Sequence, residues 1–345
     1  MRPETKGGHC LYWLLVNRGG VVGLAREVAF KKWGTARKLE RELRILKPVL
    51  IHAHFGIDGA LALPLCRALD VPMVVTFHGY DATTRDAYAA RSFYAHKVYL
   101  RRRPELKAES NLFLAVSRFI RDRLVDQGFS PDKVVVHYIG VDATAYKSEN
   151  TSMRESLVLF VGRLVEKKGC EYLLRAMQVV RDKVPGAGVV VIGDGPLMPS
   201  LKRLAREARV PTRFLGHQSS ETVRAWMNRA RVFCVPSITA HSGDTEGFGM
   251  VFAESQAMGL PVASFSSGGI PEVVVHGETG LLAIEKDWES LARHIISLLT
   301  DDPLWRHYSA TAVARVREVF DLQRQTEILE DLYDRVLVEK RGRRK

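Results

Sequence analysis

Short apolar runs alternate along this chain with longer stretches whose apolar positions recur at helical spacing. Val49–Phe55 (VLIHAHF) is one such run, and the helical stretch Ile57–Leu69 after it is stopped by Pro72. Met73–Gly79 (MVVTFHG), Asn111–Ser117 (NLFLAVS) and Lys133–Val141 (KVVVHYIGV) follow as expected strands, with an amphipathic helix over Arg118–Gln127 capped by Gly128. The rhythm restarts at strand Leu157–Gly162 (LVLFVG), helix Gly169–Lys183, strand Gly188–Ile192 and helix Leu197–Ala208. It continues through strand Arg213–Gly216, helix Glu221–Ala230, strand Val232–Pro236, helix Met250–Met258 and strand Pro261–Phe265, and from about Ser290 the pattern is nearly all helical. Strand and helix in alternation predict parallel sheets with helices on both faces.

Between the two halves, Asp142–Glu155 is polar and aperiodic and reads as a linker. A chain of 345 residues is long for one core, so two domains are expected. The pattern divides it into a first α/β domain over 1–148, a second over 149–320, and a terminal helix with a basic tail over 321–345. Two such sheets in tandem predict a cleft, with ligands bound beyond the C-terminal ends of the strands. The loops that follow strands are therefore where chemistry is expected.

The most informative of these loops is Glu246-Gly-Phe-Gly-Met-Val-Phe-Ala-Glu254, with a carboxylate at each end. Were all nine residues helical, eight steps of ~100° would leave the two carboxylates about 80° apart, on neighbouring faces. Gly247 and Gly249 argue against that, because glycine is poor inside helices. Glu246 is therefore expected in a loop, the helix to start near Gly249, and Glu254 to lie inside it. Backbone N–H groups at a helix start favour an anion, and carboxylates accept hydrogens from hydroxyls. A ligand with both phosphate and polyol character fits this segment.

Other strand-end loops carry polar groups. Phe77-His78-Gly79-Tyr80-Asp81 follows a strand directly, and His78 is read as a substrate contact or proton carrier rather than a turn cap. His52 lies inside its strand and reads as structural, while His54, near the strand end, is open. Gly162-Arg163-Leu164-Val165-Glu166-Lys167-Lys168-Gly169 places an arginine and a lysine in one loop, where a fork and a point charge can clamp a diphosphate; a solvated basic loop is the alternative. Gly193-Asp194-Gly195-Pro196 lacks the full dinucleotide fingerprint. Ser267-Gly268-Gly269-Ile270-Pro271-Glu272 is a tight turn able to border a ligand.

The formal net charge is +12, which points to anionic partners without choosing among nucleic acid, acidic lipid and phosphate-bearing substrates. The stretch Arg91–Lys107, with Phe93, Tyr94, Tyr99 and Leu100 among its cations, and the tail Lys340–Lys345 carry much of it. A basic stretch with aromatics fits a membrane surface or nucleic acid, and a solvated helix face equally well. Cys10, Cys66, Cys170 and Cys234 are far apart, without metal-ligand spacing. Cys66 and Cys234 sit in apolar stretches and read as core, and a reducing compartment fits. Cys10–Val16 is too short for a signal h-region, and no segment reaches the ~18–20 apolar residues of a membrane span.

Taken together, these segments resemble the retaining glycosyltransferase family 4, whose fold is the GT-B type: two Rossmann-like domains facing a cleft. The resemblance is carried by Glu246–Glu254, Gly162-Arg163-Leu164 with Lys168-Gly169, Phe77-His78-Gly79-Tyr80-Asp81, Ile139-Gly140-Val141-Asp142, Val235-Pro236-Ser237 and Gly268-Gly269-Ile270-Pro271-Glu272, in order and spacing from about residue 49 to 285. Within the family, IHAHFG, TFHGYD and GDTEGFG look most like bacterial exopolysaccharide or lipid-linked glycan transferases. The resemblance implies a UDP- or GDP-sugar donor held mainly by the second domain, and a glycan or lipid-linked acceptor on the first. Glu254 would hold the ribose hydroxyls, and Arg163 and Lys168 the diphosphate. Glu246 would contact the donor sugar, helped by the backbone of Gly247, Phe248 and Gly249, and His78 would reach that sugar from the first domain. No divalent metal or other cofactor is implied, since the two cations offset leaving-group charge. Glu246 is not assigned as a nucleophile. The last helix, near Gln323–Val338, would cross back to the first domain.

The family's first domain normally has further βα units before IHAHFG. Here about 48 residues precede Val49, with Leu11–Val16 and Asn17-Arg18-Gly19-Gly20 as the candidate first strand and loop, so a shortened first domain is expected. The expected location is the cytoplasm, with peripheral contact at an anionic membrane face. A second expectation, from another class, is a catalytically weakened sugar-nucleotide or glycan-binding protein derived from such a transferase. Nucleic-acid binding is disfavoured, because no RRM, KH or zinc-finger signature accompanies the charge.

Overall fold

Parallel strands covered on both faces must be apolar at nearly every position, and that is how the central strands are built. The computed structural model describes residues 37–92, 94–148 and 154–342. Cys10, the candidate strand 11–16 with its loop 17–20, Phe93, residues 149–153 of the connecting segment and the last three residues of the basic tail lie outside the described residues. In the first half come helix α1 (Arg37–Leu46), β1 (Ile51–His54), α2 (Gly56–Leu69), β2 (Met73–Phe77), the short helices α3 (Tyr80–Thr83) and α4 (Asp86–Ala89), α5 (Tyr94–Glu109), β3 (Leu112–Ala115), α6 (Arg118–Asp126) and β4 (Val134–Val136). These strands form a four-stranded sheet in chain order, β1-β2-β3-β4. β1 runs parallel to β2, from Ile51 opposite Met73 to His54 opposite Thr76. Every position of β2 and β3 is buried.

The second half holds β5 (Glu155–Val161), α7 (Cys170–Lys183), β6 (Gly188–Ile192), α8 (Met198–Glu207), β7 (Thr212–Gly216), α9 (Ser220–Arg229), β8 (Ala230–Phe233), α10 (Met250–Ala257), β9 (Val262–Phe265), α11 (Ile270–Val273) and β10 (Gly280–Ala283). Three helices follow: α12 (Trp288–Thr300), α13 (Asp302–Val319) and α14 (Leu322–Gly342). The sheet order is β10-β9-β8-β5-β6-β7. Read from β5, the chain first builds outward through β6 to β7, then returns to β8 and builds the other way. The order therefore reverses between β5 and β8, and a doubly wound sheet opens a crevice at that switch point, beyond the C-terminal strand ends.

By contacts the chain divides into two compact units. Of the described residues, one holds those up to Phe77 together with Asp86–Phe113 and Tyr333 onward, and the other His78–Arg85 and Leu114–Leu332. In the first unit, His52 is held at both ring nitrogens, by Tyr333 Oη at 2.5 Å and Thr76 Oγ1 at 2.7 Å, which is a structural role. Lys340 donates to Asp70 at 2.7 Å. The basic stretch over 91–107 forms α5, in which Val98, Tyr99 and Leu106 are buried. Arg102 donates to the Ala60 carbonyl and Arg103 pairs with Asp86, so part of this charge is committed within the unit.

Several expectations shift. The strand expected over 133–141 is shorter: β4 ends at Val136. His137 still donates to the Ala115 carbonyl, but by Val141 the chain has turned to the segment 320–322. There the Val141 N–H meets the Phe320 carbonyl at 2.7 Å and its carbonyl takes the Leu322 N–H at 3.1 Å. Two further elements, β10 and α1, were not among those expected. Cys66, Cys170 and Cys234 are buried free thiols. Among the described residues no helix is long and apolar enough to cross a membrane.

The switch point is held by a close backbone approach. Gly169, the N-cap of α7, has φ 62°. A Cβ there would lie 1.9 Å from the Pro236 carbonyl oxygen, so the loop after β5 touches the chain leaving β8. Gly186 also has positive φ, 91°, but nothing within 4 Å of a Cβ. In urea unfolding, Gly186→Ala is expected to cost ~1 kcal/mol of conformational strain. Gly169→Ala is expected to cost clearly more, ~2–4 kcal/mol, because strain and overlap combine. Equal costs would mean that the approach to Pro236 is not tight.

Candidate functional site

The loops that leave β5 and β8 lie side by side, and their charged side chains pair across the crevice. Lys168 Nζ is 2.5 Å from Glu246 Oε2, and Lys167 Nζ is 3.0 Å from Asp244 Oδ1. Ser237 Oγ stands 3.4 Å from the same Glu246 oxygen. The three-residue turn Glu166–Lys168 grips the facing loop through its other groups as well. The Lys167 carbonyl accepts from Ile238 N at 2.8 Å, and Glu166 Oε1 from His241 N at 3.1 Å. Glu285, after β10, accepts from Thr239 N at 2.7 Å.

The same loop is held from its far side. Ser242 O accepts from Arg85 N at 2.9 Å, and Thr83 Oγ1 from Thr245 N at 3.3 Å. The Thr245 and Ser267 hydroxyls are 3.1 Å apart, and Gly269 N donates to Glu246 O at 2.8 Å. Gly247 has no room for a side chain, because a Cβ would fall 2.2 Å from the His78 carbonyl oxygen. The turn presenting that oxygen is fixed by Asp81, whose carboxylate accepts from His78 N at 3.2 Å and Gly79 N at 3.0 Å.

The loop then enters α10. Gly249 is its N-cap, at φ 85° and without a side-chain cap, as expected from the glycines. The Phe248 ring is buried against Tyr138 and Phe320, at 6.0 and 5.3 Å between centroids. Among the described residues no group accepts the N–H of Phe248 or Gly249. Glu254 lies one turn into α10, as expected. Tyr146 lies beside it, and the Arg224 guanidinium lies 5.7 Å over the Tyr146 ring.

The two carboxylates are tuned in opposite directions. Desolvation pushes the Glu246 carboxyl up, but the ammonium groups of Lys168 and Lys167, with hydrogen bonds from Lys168 and Ser237, outweigh it and hold the group below its usual range. Glu254 rises, because desolvation there is opposed only by the neighbouring Tyr146 hydroxyl. Tyr146 is itself pushed up to about 12, first by desolvation and then by the Glu254 charge. Glu246 is thus a fixed anion, and Glu254 a carboxylate that protonates more readily.

Of the residues singled out in the sequence, Lys168, Glu246, Gly247, Phe248 and Gly249 come together in one cluster, with the His78 backbone against it. Arg163 is exposed on the same loop as Lys168, and among the described residues no carboxylate pairs with it. Glu254 stands apart, with Tyr146 and Arg224. Asp244, Ser117, Tyr146 and Arg224 were not anticipated, and only Tyr146 left a signal, as an aromatic residue in a polar segment. Glu272, expected in a turn bordering ligand, instead caps α6: its carboxylate accepts from Arg118 N and Phe119 N, both at 2.8 Å. Among the described residues no His, Cys, Asp and Glu side chains gather as a metal-ligand group.

Residues 142–315 match the model of the family described as glycosyl transferases group 1, and residues 7–145 that of glycosyltransferase family 4. The chain is 31% identical to the amylovoran biosynthesis glycosyltransferase AmsK of Erwinia amylovora over 71% of its own length and 60% of that protein's. It is also 31% identical to the GDP-mannose-dependent alpha-(1-6)-phosphatidylinositol monomannoside mannosyltransferase of Mycolicibacterium smegmatis, over 72% of this chain and 66% of that one. The chain thus spans less than two thirds of the length of either relative. Among solved structures, Anabaena Alr3699/HepE in complex with UDP superposes with a TM-score of 0.73 at 21% identity, over 86% of this chain and 81% of that one. The two parallel-sheet α/β architecture is the GT-B fold expected from the sequence.

Because Glu246 titrates below its unfolded value near 4.3, its pairing stabilises the protein above that pH, and the contribution is lost as pH falls through the folded value. Lys168→Met leaves a desolvated carboxylate without its nearest counter-charge, which raises its folded pKa. The variant is expected to lose ~3 kcal/mol near neutral pH. That gap from wild type should narrow as acid protonates Glu246, in melting curves taken from about pH 7 to 4. A gap that stays constant or widens in acid would refute the pairing.

Proposed function

The chain belongs to the group 1 glycosyl transferases, and we propose that it moves a hexose from a UDP- or GDP-linked donor to a glycan or lipid-linked acceptor in bacterial polysaccharide assembly. The observation that carries this reading is the Lys168–Glu246 pair at the switch point, set against the start of α10. A fixed cation, a fixed carboxylate and two N–H groups without partners among the described residues answer the two halves of a nucleotide sugar, its diphosphate and its hydroxyls. The UDP bound by HepE and the GDP-mannose dependence of the mannosyltransferase support the donor class, and the amylovoran transferase supports the polysaccharide setting.

In this reading Arg163 reaches the diphosphate with its planar fork and Lys168 supplies a point charge beside it. Together they stabilise the charge that develops on the leaving group, work a divalent metal performs elsewhere. Glu254 accepts hydrogen bonds from the ribose hydroxyls. Glu246 orients the sugar through its hydroxyls while remaining paired with Lys168, and no bond to the anomeric carbon is assigned to it. Attack by the acceptor on the face from which the diphosphate departs gives retention. His78 contacts the sugar from the loop against Gly247. The net positive charge suits work at an anionic cytoplasmic membrane face.

Arg163→Ala and Glu254→Ala are each expected to weaken donor binding by ~10–100-fold, as loss of a hydrogen bond to a charged group does. Calorimetry with UDP-glucose and GDP-mannose reads the effect on whichever donor the wild type binds. Undiminished binding in both variants would refute the site assignment. Binding without transfer to any of a panel of glycan acceptors would favour a sugar-nucleotide-binding protein instead.

A further inference from the structure

Ser117 sits at the junction of β3 and α6, far in sequence from the donor loop, and is completely buried. Its hydroxyl accepts from Ile120 N at 3.1 Å, as the N-cap of α6, and donates to the Gly247 carbonyl at 2.6 Å. A serine hydroxyl has one hydrogen to give, and here it goes to the loop between Glu246 and α10. The carbonyl it holds is boxed in on another side: a Cβ on Gly269 would lie 2.1 Å from the Gly247 oxygen and 3.1 Å from Ser117 Oγ. Glu272 fixes the base of this arrangement by taking the Arg118 and Phe119 N–H groups.

The described chain has no cis peptide bond. In a planar trans peptide the carbonyl of one residue and the N–H of the next point in opposite directions. Whatever fixes the Gly247 oxygen therefore also sets the direction of the Phe248 N–H. We propose that Ser117 is a positioning residue of the transferase site: it turns the Gly247–Phe248 peptide so that the Phe248 N–H faces the donor sugar. The inference rests on the donor reading above and adds to it a residue that touches no substrate. A helix cap alone would need only the acceptor half of this hydroxyl. The donated bond is what ties it to the site.

The test compares wild type, Ser117→Ala, Ser117→Gly and Ser117→Thr by calorimetry with UDP, UDP-glucose, GDP and GDP-mannose. Glycine is tolerated as an N-cap at a cost of a few tenths of a kcal/mol, so Ser117→Gly keeps α6 while removing the donated hydrogen bond. For the donor that the wild type binds, both removal variants should weaken nucleotide-sugar binding about fivefold or more relative to the matching nucleoside diphosphate. Diphosphate affinity should stay within about twofold, since its proposed contacts, Arg163 and Lys168, lie on the separate loop after β5, and Ser117→Thr should keep the wild-type ratio. An equal loss for sugar nucleotide and diphosphate would mark Ser117 as merely structural and overturn the proposal, as would an unchanged ratio. A wild type that binds none of the four ligands would instead overturn the donor reading, and this inference with it.

Discussion

The ion pair between Lys168 and Glu246 joins the chain leaving β5 to the chain leaving β8, the two strands that flank the switch point of the sheet. Both side chains are largely shielded from water, at 16% and 11% exposed. Removing two such charges from water costs several kcal/mol each, and their attraction in a low dielectric roughly offsets that cost. The pair is therefore poor evidence for added stability. It is strong evidence for specification, because losing either partner strands the other charge. What it specifies is the path of the loop over 238–249, from which the donor-facing groups project.

That loop has no regular structure, yet few of its backbone polar groups are left to chance. Lys167 O, Glu285, Glu166, Thr83, Gly269 and Ser117 hold successive points along it. Irregular backbone that is buried must find partners, and here they come from both ends of the sequence. The close approach of Gly247 to the His78 carbonyl is the same constraint expressed as shape. The resulting site is preformed: two carboxylates of opposite tuning, one fixed lysine, one exposed arginine and a helix start.

Much of the fold was legible in the sequence because a doubly covered parallel sheet demands nearly continuous apolar strands, and β2, β3, β6 and β9 supply them. The start of α10 was legible for a related reason, since two closely spaced glycines are unfavourable inside a helix, and Glu246 and Glu254 fell where that argument put them. The interactions that organise the site were not legible. Lys168 and Glu246 are 78 residues apart, and Ser117 and Gly247 130 apart, so no periodicity connects them. The sequence offered Lys168 as a partner of Arg163, whereas the structure gives it a carboxylate. Glu272 was read from its glycines as part of a ligand-bordering turn, and only tertiary packing reveals it as the cap of α6. The strand expected over 133–141 failed for a similar reason, because apolar pattern cannot show that Val141 leaves the sheet for Phe320 and Leu322.

The central claim is that the loop over 238–249 is fixed before any donor arrives, and amide hydrogen exchange tests it most directly. Backbone hydrogen bonds that open only rarely protect their amides. If the loop is preformed, the Ile238, Thr239 and Gly269 amides are protected in the free protein, and saturating UDP-glucose or GDP-mannose slows their exchange little further. Exchange at the unprotected rate in the free protein, with protection appearing only when a donor is added, would contradict the account.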